Sequence, residues 1–173
     1  MRVYGSRRIY SGRVVSLRVD EIDAYHGDAH REVEVVEHSG GVAIIAQPSP
    51  GEIVLVRQYR HAVDEDLWEV PAGMIERGEP PLETARRELI EETGYRAREL
   101  RFLFSMYTTP GFCNERIHLF AADGLTLGEA APEDDEQFEI RTWSVAEAWA
   151  LVESDRLRDA KTQIALAWAR SRS

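Results

Sequence analysis

Glu88, Glu91 and Glu92 stand three and four residues apart in one stretch, with Glu79 and Arg87 just ahead of them. At 3.6 residues per helical turn, Glu88 and Glu92 project from one side and Glu91 flanks them. Three carboxylates on one patch repel one another unless a cation lies among them. Hard oxygen ligands with neither Cys nor His nearby in sequence favour Mg2+, or Mn2+ or another such divalent cation, over zinc. Arg87 is placed to hold one carboxylate through a bidentate contact. The chemistry such a patch supports is metal-assisted: a bound cation can neutralise an anionic oxygen and acidify a coordinated water.

Around these acids the sequence marks the elements that must position them. Pro80 and Pro81 suit a first helical turn, where a missing N–H costs nothing, and Gly94 suits the left-handed residue just past the end. Leu82, Ala85, Leu89 and Thr93 recur at helical spacing and are expected to face a core. Glutamates at this spacing are ordinarily no more than a solvated helix face with Arg partners. The segment upstream argues otherwise: Trp68-Glu69-Val70-Pro71-Ala72-Gly73-Met74-Ile75-Glu76-Arg77-Gly78-Glu79 is a short apolar strand running into a glycine-punctuated loop. A solvated helix needs no such loop, whereas a site that brings backbone carbonyls to a metal does.

The whole pattern, Gly73-x5-Glu79-x7-Arg87-Glu88-Leu89-x-Glu91-Glu92-x-Gly94-Tyr95, resembles a complete Nudix box with every fixed position filled. The resemblance implies an α/β fold, a Nudix-type α/β/α sandwich with a mixed sheet. It also implies that a loop-helix-loop binds divalent metal and cleaves a nucleoside diphosphate linked to another moiety. By position, Glu88, Glu92 and the carbonyl of Ala72 are the implied metal ligands, Glu91 a ligand or general base, and Glu79 and Arg87 braces of the loop. Thr108-Thr109-Pro110-Gly111-Phe112-Cys113-Asn114-Glu115 places a proline and an acid where the ADP-ribose pyrophosphatase subgroup carries them. Val56-Arg57-Gln58-Tyr59-Arg60 and Asp159-Ala160-Lys161-Thr162 are similar to that subgroup too. Pro110 and Glu115 are therefore expected at the substrate, and the implied reaction is Mg2+-dependent hydrolysis of ADP-ribose to AMP and ribose 5-phosphate. Thr109, Cys113 and Asn114 depart from the subgroup's usual residues, which leaves two alternatives open: another nucleotide sugar such as GDP-mannose, or a sensor that binds ADP-ribose without cleaving it.

Outside the box, Arg57 and Arg60 are read as sharing one strand face from which one or both grip a diphosphate, the plainer alternative being an ion pair at the rim. Glu133-Asp134-Asp135-Glu136, followed by Glu139, is an acidic run of the kind that is usually solvated. Related hydrolases place a loop glutamate opposite the box, and Glu136 is the candidate for taking a proton from the attacking water, with Glu133 and Glu139 behind it. Cys113, the only cysteine, forms no internal disulfide and has no paired His that would make it a nucleophile. His26 and His30 lie about a Gly27-Asp28 turn and are not read as ligands. Lys161 is the only lysine, which reads as a compositional bias toward Arg.

A chain of 173 residues with 43 % hydrophobic content supports one substantial core, so one catalytic domain over 41–173 is expected, preceded by an antiparallel strand segment over 1–40. The formal charge of -10 argues against a nucleic-acid partner. No apolar run marks a signal or a membrane span, so a cytoplasmic enzyme without a membrane partner is expected. Strands are predicted over Arg8–Ile22, Arg31–His38, Val42–Gln47, Ile53–Tyr59, Leu100–Tyr107, Ile117–Ala122 and Phe138–Trp143. Ser144 with Glu147 is a capping box opening a helix, and a last helix is predicted over Asp159–Arg170. The first strands need a partner surface to be stable. By resemblance that partner is a second copy: a homodimer is expected, with Arg31 and Glu34 reaching the neighbouring subunit's nucleotide.

Overall fold

The computed structural model describes residues 1–24, 30–128 and 139–172, and these divide into two compact units. The first comprises Met1–Gly40 and Met106–Ile117, the second Gly41–Ser105 and His118–Ser173. Residues 106–117 thus cluster with the N-terminal strands and not with the residues that flank them in sequence.

In the first unit, β1 (Val3–Ser11), β2 (Val15–Asp23) and β3 (His30–His38) form an antiparallel sheet in that order. The single strand expected over Arg8–Ile22 is two strands. Gly12 N–H donates to Val15 O at 2.9 Å and reverses the chain there. Ser11-Gly12-Arg13 interrupts the alternation, which resumes at Val15, so Gly12 is the sign of the turn that the single-strand expectation passes over. The turn expected at Gly27 and Asp28 lies outside the described residues. At the β3 edge, Val36 N–H donates to Phe112 O at 2.8 Å and Asn114 N–H to Val36 O at 3.1 Å. The segment containing Pro110 is thereby stitched to β3.

The second unit holds β4 (Gly41–Ala46), β5 (Glu52–Arg60), β6 (Glu65–Glu69), β7 (Ala72–Met74), α1 (Pro81–Thr93), β8 (Tyr95–Tyr107), β9 (Arg116–Leu127), β10 (Glu139–Ser144), α2 (Val145–Glu153) and α3 (Ala160–Arg170). The strand order is β7-β4-β9-β8 in one sheet and β10-β5-β6 in another. Strands β8 and β9 each begin or end in the first unit.

Every residue of β4 is buried, which a strand achieves only when both faces are covered. Alternate residues Val42, Ile44 and Ala46 join Val54, Leu100, Phe120 and Ala122 in a core closed by Ala85 and Leu89 of α1. Helix α3 also packs on β4 and buries Ala165, Leu166 and Ala169. Helices on both sides of the strands make the α/β/α arrangement expected. Leu82 is an exception to the predicted helix face: it is 39 % exposed, because it lies in the first turn, where Thr84 and Ala85 take the buried positions. The predicted capping box on α2 is present, with Glu147 N–H donating to Ser144 Oγ at 3.1 Å. No helix among the described residues is long and apolar enough to cross a membrane.

Candidate active site

The loop and helix of the box are tied together by Glu79. Pro80 occupies the N-cap of α1 and has no side chain with which to cap it. Glu79, one residue earlier, ties loop to helix by another route: it accepts from Thr84 Oγ1–H at 2.9 Å and from the N–H of Glu76 at 3.4 Å. Its other partner is Arg87, whose Nε and Nη2 each donate to one of its oxygens at 3.2 Å. Arg87 chiefly, helped by Thr84 and Glu76, holds the Glu79 carboxyl below its ordinary range. At the far end, Gly94 adopts φ 73 and donates to Ile90 O, so the helix stops where the sequence places a glycine.

Arg87 also faces two of the three box acids. Its Nη1 lies 2.8 Å from Glu88 Oε1 and 2.8 Å from Glu91 Oε2, so one nitrogen bridges two carboxylates. The buried Glu92 carboxylate accepts from the N–H of Ala72 at 3.0 Å, joining the end of α1 to the start of β7. A Cβ added to Gly73 would come within 2.0 Å of the Glu88 carboxyl. Glycine is needed there because Glu88 lies flat against the loop backbone. Among the described residues no three acids, histidines or cysteines already stand as a closed metal cluster. The donor set nevertheless fits a hard divalent cation: three carboxylates, those of Glu79, Glu88 and Glu91, converge on one guanidinium, and the donors are oxygen alone. Glu88, Glu91, Glu92 and the Ala72 peptide are the groups available to hold such an ion.

Arg57 and Arg60 do not share a face. They are three residues apart, and a strand of period two sends them to opposite sides. Arg57 is exposed and pairs with Asp66 at 3.1 Å and Glu139 at 3.2 Å. Arg60 turns inward and grips both oxygens of Glu69, Nε at 2.7 Å and Nη2 at 2.8 Å. Glu69 is 1 % exposed and also receives Lys161 Nζ, which reaches Asp159 Oδ1 at 2.9 Å as well. Asp159 in turn accepts from Thr162 Oγ1 at 2.6 Å, and Thr162 accepts the N–H of Val70 at 2.9 Å. Sequence reasoning missed this cluster because Glu69 and Lys161 are 92 positions apart. The one available signal was a solitary lysine in a chain whose other cations are arginine, and it was set down to composition. Glu136 and Glu133 lie outside the described residues, whereas Glu139 is committed to Arg57.

In the first unit, Pro110 sits in a turn closed by Phe112 and Cys113 N–H groups donating to Thr109 O. Glu115 accepts from Thr108 Oγ1 at 2.7 Å and lies 3.4 Å from His38 Nδ1. Arg31 and Glu34 are both exposed on β3 but register against Ile22 and Val19 respectively, three positions apart and therefore on opposite faces. Any one ligand is met by one of them, not by the pair. His30 bonds to Glu21 at 2.9 Å and stacks on Tyr4.

The NUDIX domain model matches residues 37–164. The chain is 41 % identical over 163 residues to a protein of Bacillus methanolicus named methanol dehydrogenase activator, covering 93 % of this chain and 88 % of that one. It is 39 % identical over 167 residues to the ADP-ribose pyrophosphatase of Bacillus subtilis (strain 168), covering 95 % and 90 %. A crystal structure of an ADP compounds hydrolase superposes with a TM-score of 0.84 over 98 % of this chain and 92 % of that chain, at 21 % identity, a likeness of fold. With the box filled at every fixed position and the family model spanning most of its length, this chain belongs to the Nudix hydrolase family.

Proposed function

We propose that this enzyme hydrolyses the diphosphate bridge of ADP-ribose, with Mg2+ as the preferred cation and Mn2+ as a substitute, in the cytoplasm. The observation that carries the reading is the excess of carboxylate around Arg87, a site built to bind a cation and, through it, an anion. The similarity to an ADP-ribose pyrophosphatase over nearly the whole chain supports the substrate.

When bound, the cation supplies positive charge against the diphosphate oxygens, which otherwise repel a nucleophile. Glu88, Glu92 and the carbonyl of Ala72 hold it, with Glu91 either a further ligand or the group that takes the proton from the attacking water. Glu136 is the other candidate for that proton. Arg60 meets a phosphate oxygen with the edge of its guanidinium that Glu69 does not use. Arg57, already shared between Asp66 and Glu139, contributes long-range attraction. Pro110 and Glu115 shape the sugar end. Water adds at phosphorus, the bridging P–O bond breaks, and AMP and ribose 5-phosphate leave.

Two copies pair through the N-terminal strands, where Val3, Tyr4, Ile9, Tyr10, Val14 and Val15 are exposed. Whichever face of β3 meets the neighbour presents Arg31 or Glu34 to its nucleotide.

Incubation with ADP-ribose and Mg2+ in oxygen-18 water, followed by mass spectrometry of both products, tests the reading. AMP and ribose 5-phosphate with one heavy oxygen between them are expected, and EDTA abolishes the reaction. Intact ADP-ribose beside cleaved GDP-mannose would reassign the substrate, and binding without any cleavage would make the protein a sensor.

A further inference from the structure

The Arg60, Glu69, Lys161 and Asp159 side chains form a set of two cations and two anions spread over β5, the end of β6 and the start of α3. It is separate from the carboxylates around Arg87, and its geometry is asymmetric. Glu69 is all but sealed from solvent, yet the Arg60 side chain it holds is 40 % exposed. Nε and Nη2 of Arg60 are the nitrogens consumed by the two Glu69 oxygens, while Nη1 has no partner among the described residues. A guanidinium is planar and rigid, so fixing one edge fixes the direction of the other. The unused edge is therefore held in one direction on a side chain that remains partly open to solvent.

Glu69 cannot balance two cations alone. Lys161 is drawn in by Asp159 as well, and Asp159 is locked by the N–H and hydroxyl of Thr162 at 2.9 and 2.6 Å. The four charges cancel, which is the condition for keeping such a cluster buried. Arg60 also lies within electrostatic reach of Glu92, which places it near the box.

We infer that Glu69 and Lys161 are positioning residues for substrate binding: they hold Arg60 in one orientation with a free N–H edge as a ready-made receptor for a diphosphate oxygen. Affinity for the substrate then depends on a buried carboxylate that never touches it. This rests on the proposed diphosphate hydrolysis, though not on which nucleotide sugar is cleaved.

A double-mutant cycle reads the coupling. E69Q keeps the shape of the side chain but removes its charge and replaces one acceptor with a donor. It is expected to raise KM for the cleaved diphosphate about ten-fold with kcat changed less than about three-fold, the size of one charge-assisted hydrogen bond lost from binding. In an R60A background the same substitution is expected to leave KM within about two-fold, because the receptor is already gone. K161M keeps the apolar stem and removes the second cation. It is expected to raise KM about three-fold, again only when Arg60 is present, and it carries the test should E69Q fail to fold. An equal KM effect of E69Q with and without Arg60, a fall in kcat at constant KM, or an unaltered KM in K161M would each overturn the inference. A wild-type enzyme that cleaves no nucleoside diphosphate sugar would overturn the proposed function and this inference together. An active wild type with a normal E69Q would sink the inference alone.

Discussion

At the scale of single residues, Glu92 and Glu69 are both buried carboxylates but are committed to different partners. Glu92 is buried, accepts from the N–H of Ala72 and belongs to the acids proposed to hold the cation. Glu92→Gln retains an acceptor for Ala72 and should leave the fold intact, while turnover falls by roughly two to three orders of magnitude, as expected for losing one preorganised electrostatic contact. Steady-state kinetics with Mg2+ beside a thermal melt decides it: normal turnover, or an unfolded variant, removes Glu92 from the role. Glu69 is committed instead to Arg60 and Lys161. Burial alone would raise its carboxyl, but the Arg60 hydrogen bonds and the two cationic charges outweigh burial and hold it below its ordinary 4.5. A carboxyl depressed in the folded state stabilises fully above its unfolded value and loses that contribution as the pH falls through the folded one. Urea midpoints compared between pH 7 and pH 3.5 should therefore drop more for wild type than for Glu69→Gln, and parallel drops would show that the pair does not stabilise the fold. The two cases also mark what sequence makes legible. Glu88, Glu91 and Glu92 were found because helical spacing puts them together. Glu69 and Lys161 meet only through the tertiary fold, and Arg57 and Arg60 were placed on one face although a strand of period two separates residues three apart.

At the scale of elements, the box helix was legible from both ends because its boundaries are covalent facts: Pro81 can begin a helix and Gly94 can end one in the left-handed region. Gly94→Ala forces a Cβ into φ 73 and should cost about 1–2 kcal/mol, read as a lowered urea midpoint with an unchanged slope. No change in midpoint would mean that the chain relaxes out of the left-handed conformation cheaply. Gly73→Ala acts differently. The added Cβ meets the end of a flexible side chain, the Glu88 carboxyl, and not backbone, so the chain is expected to fold and the damage to fall on cation affinity. A Mg2+ titration of activity should shift to higher concentration, about ten-fold for an interaction of roughly 1.4 kcal/mol, with the melting temperature within a few degrees of wild type. A collapsed melting temperature with normal Mg2+ dependence would mean that the loop backbone, not Glu88, needs the glycine. The strand boundaries were less legible. The β1–β2 turn carries Gly12 but no Pro, Asn or Asp, and the alternation resumes from Val15 directly after it, so two strands read as one.

At the scale of the whole molecule, the first unit poses a problem that its own residues do not solve. Its three-stranded sheet carries charge on both faces: Arg8, Arg18, Asp20 and Glu37 interlock on one, and Arg7 pairs with Glu32 on the other. Tyr10, Leu17 and Val36 nevertheless stand in one row across the strands, and Tyr10 is 57 % exposed. Three strands with so little apolar burial are marginal alone, and β1 is irregular at Val3/Gly5 and Arg8/Tyr10, which spoils it for addition of another strand along its edge. In the proposed dimer, a facial contact with a second copy centred on that apolar row would bury it. Light scattering over a concentration series should give about twice the 19.7 kDa chain mass. Tyr10→Glu puts a charge in the centre of the proposed contact and is expected to shift the protein to monomer and, on the proposal that β3 of one copy meets the other's nucleotide, to raise KM more than it lowers kcat. A wild type that stays at 19.7 kDa at every concentration, with full activity, would leave the strands with some other purpose and confine the active site to one chain.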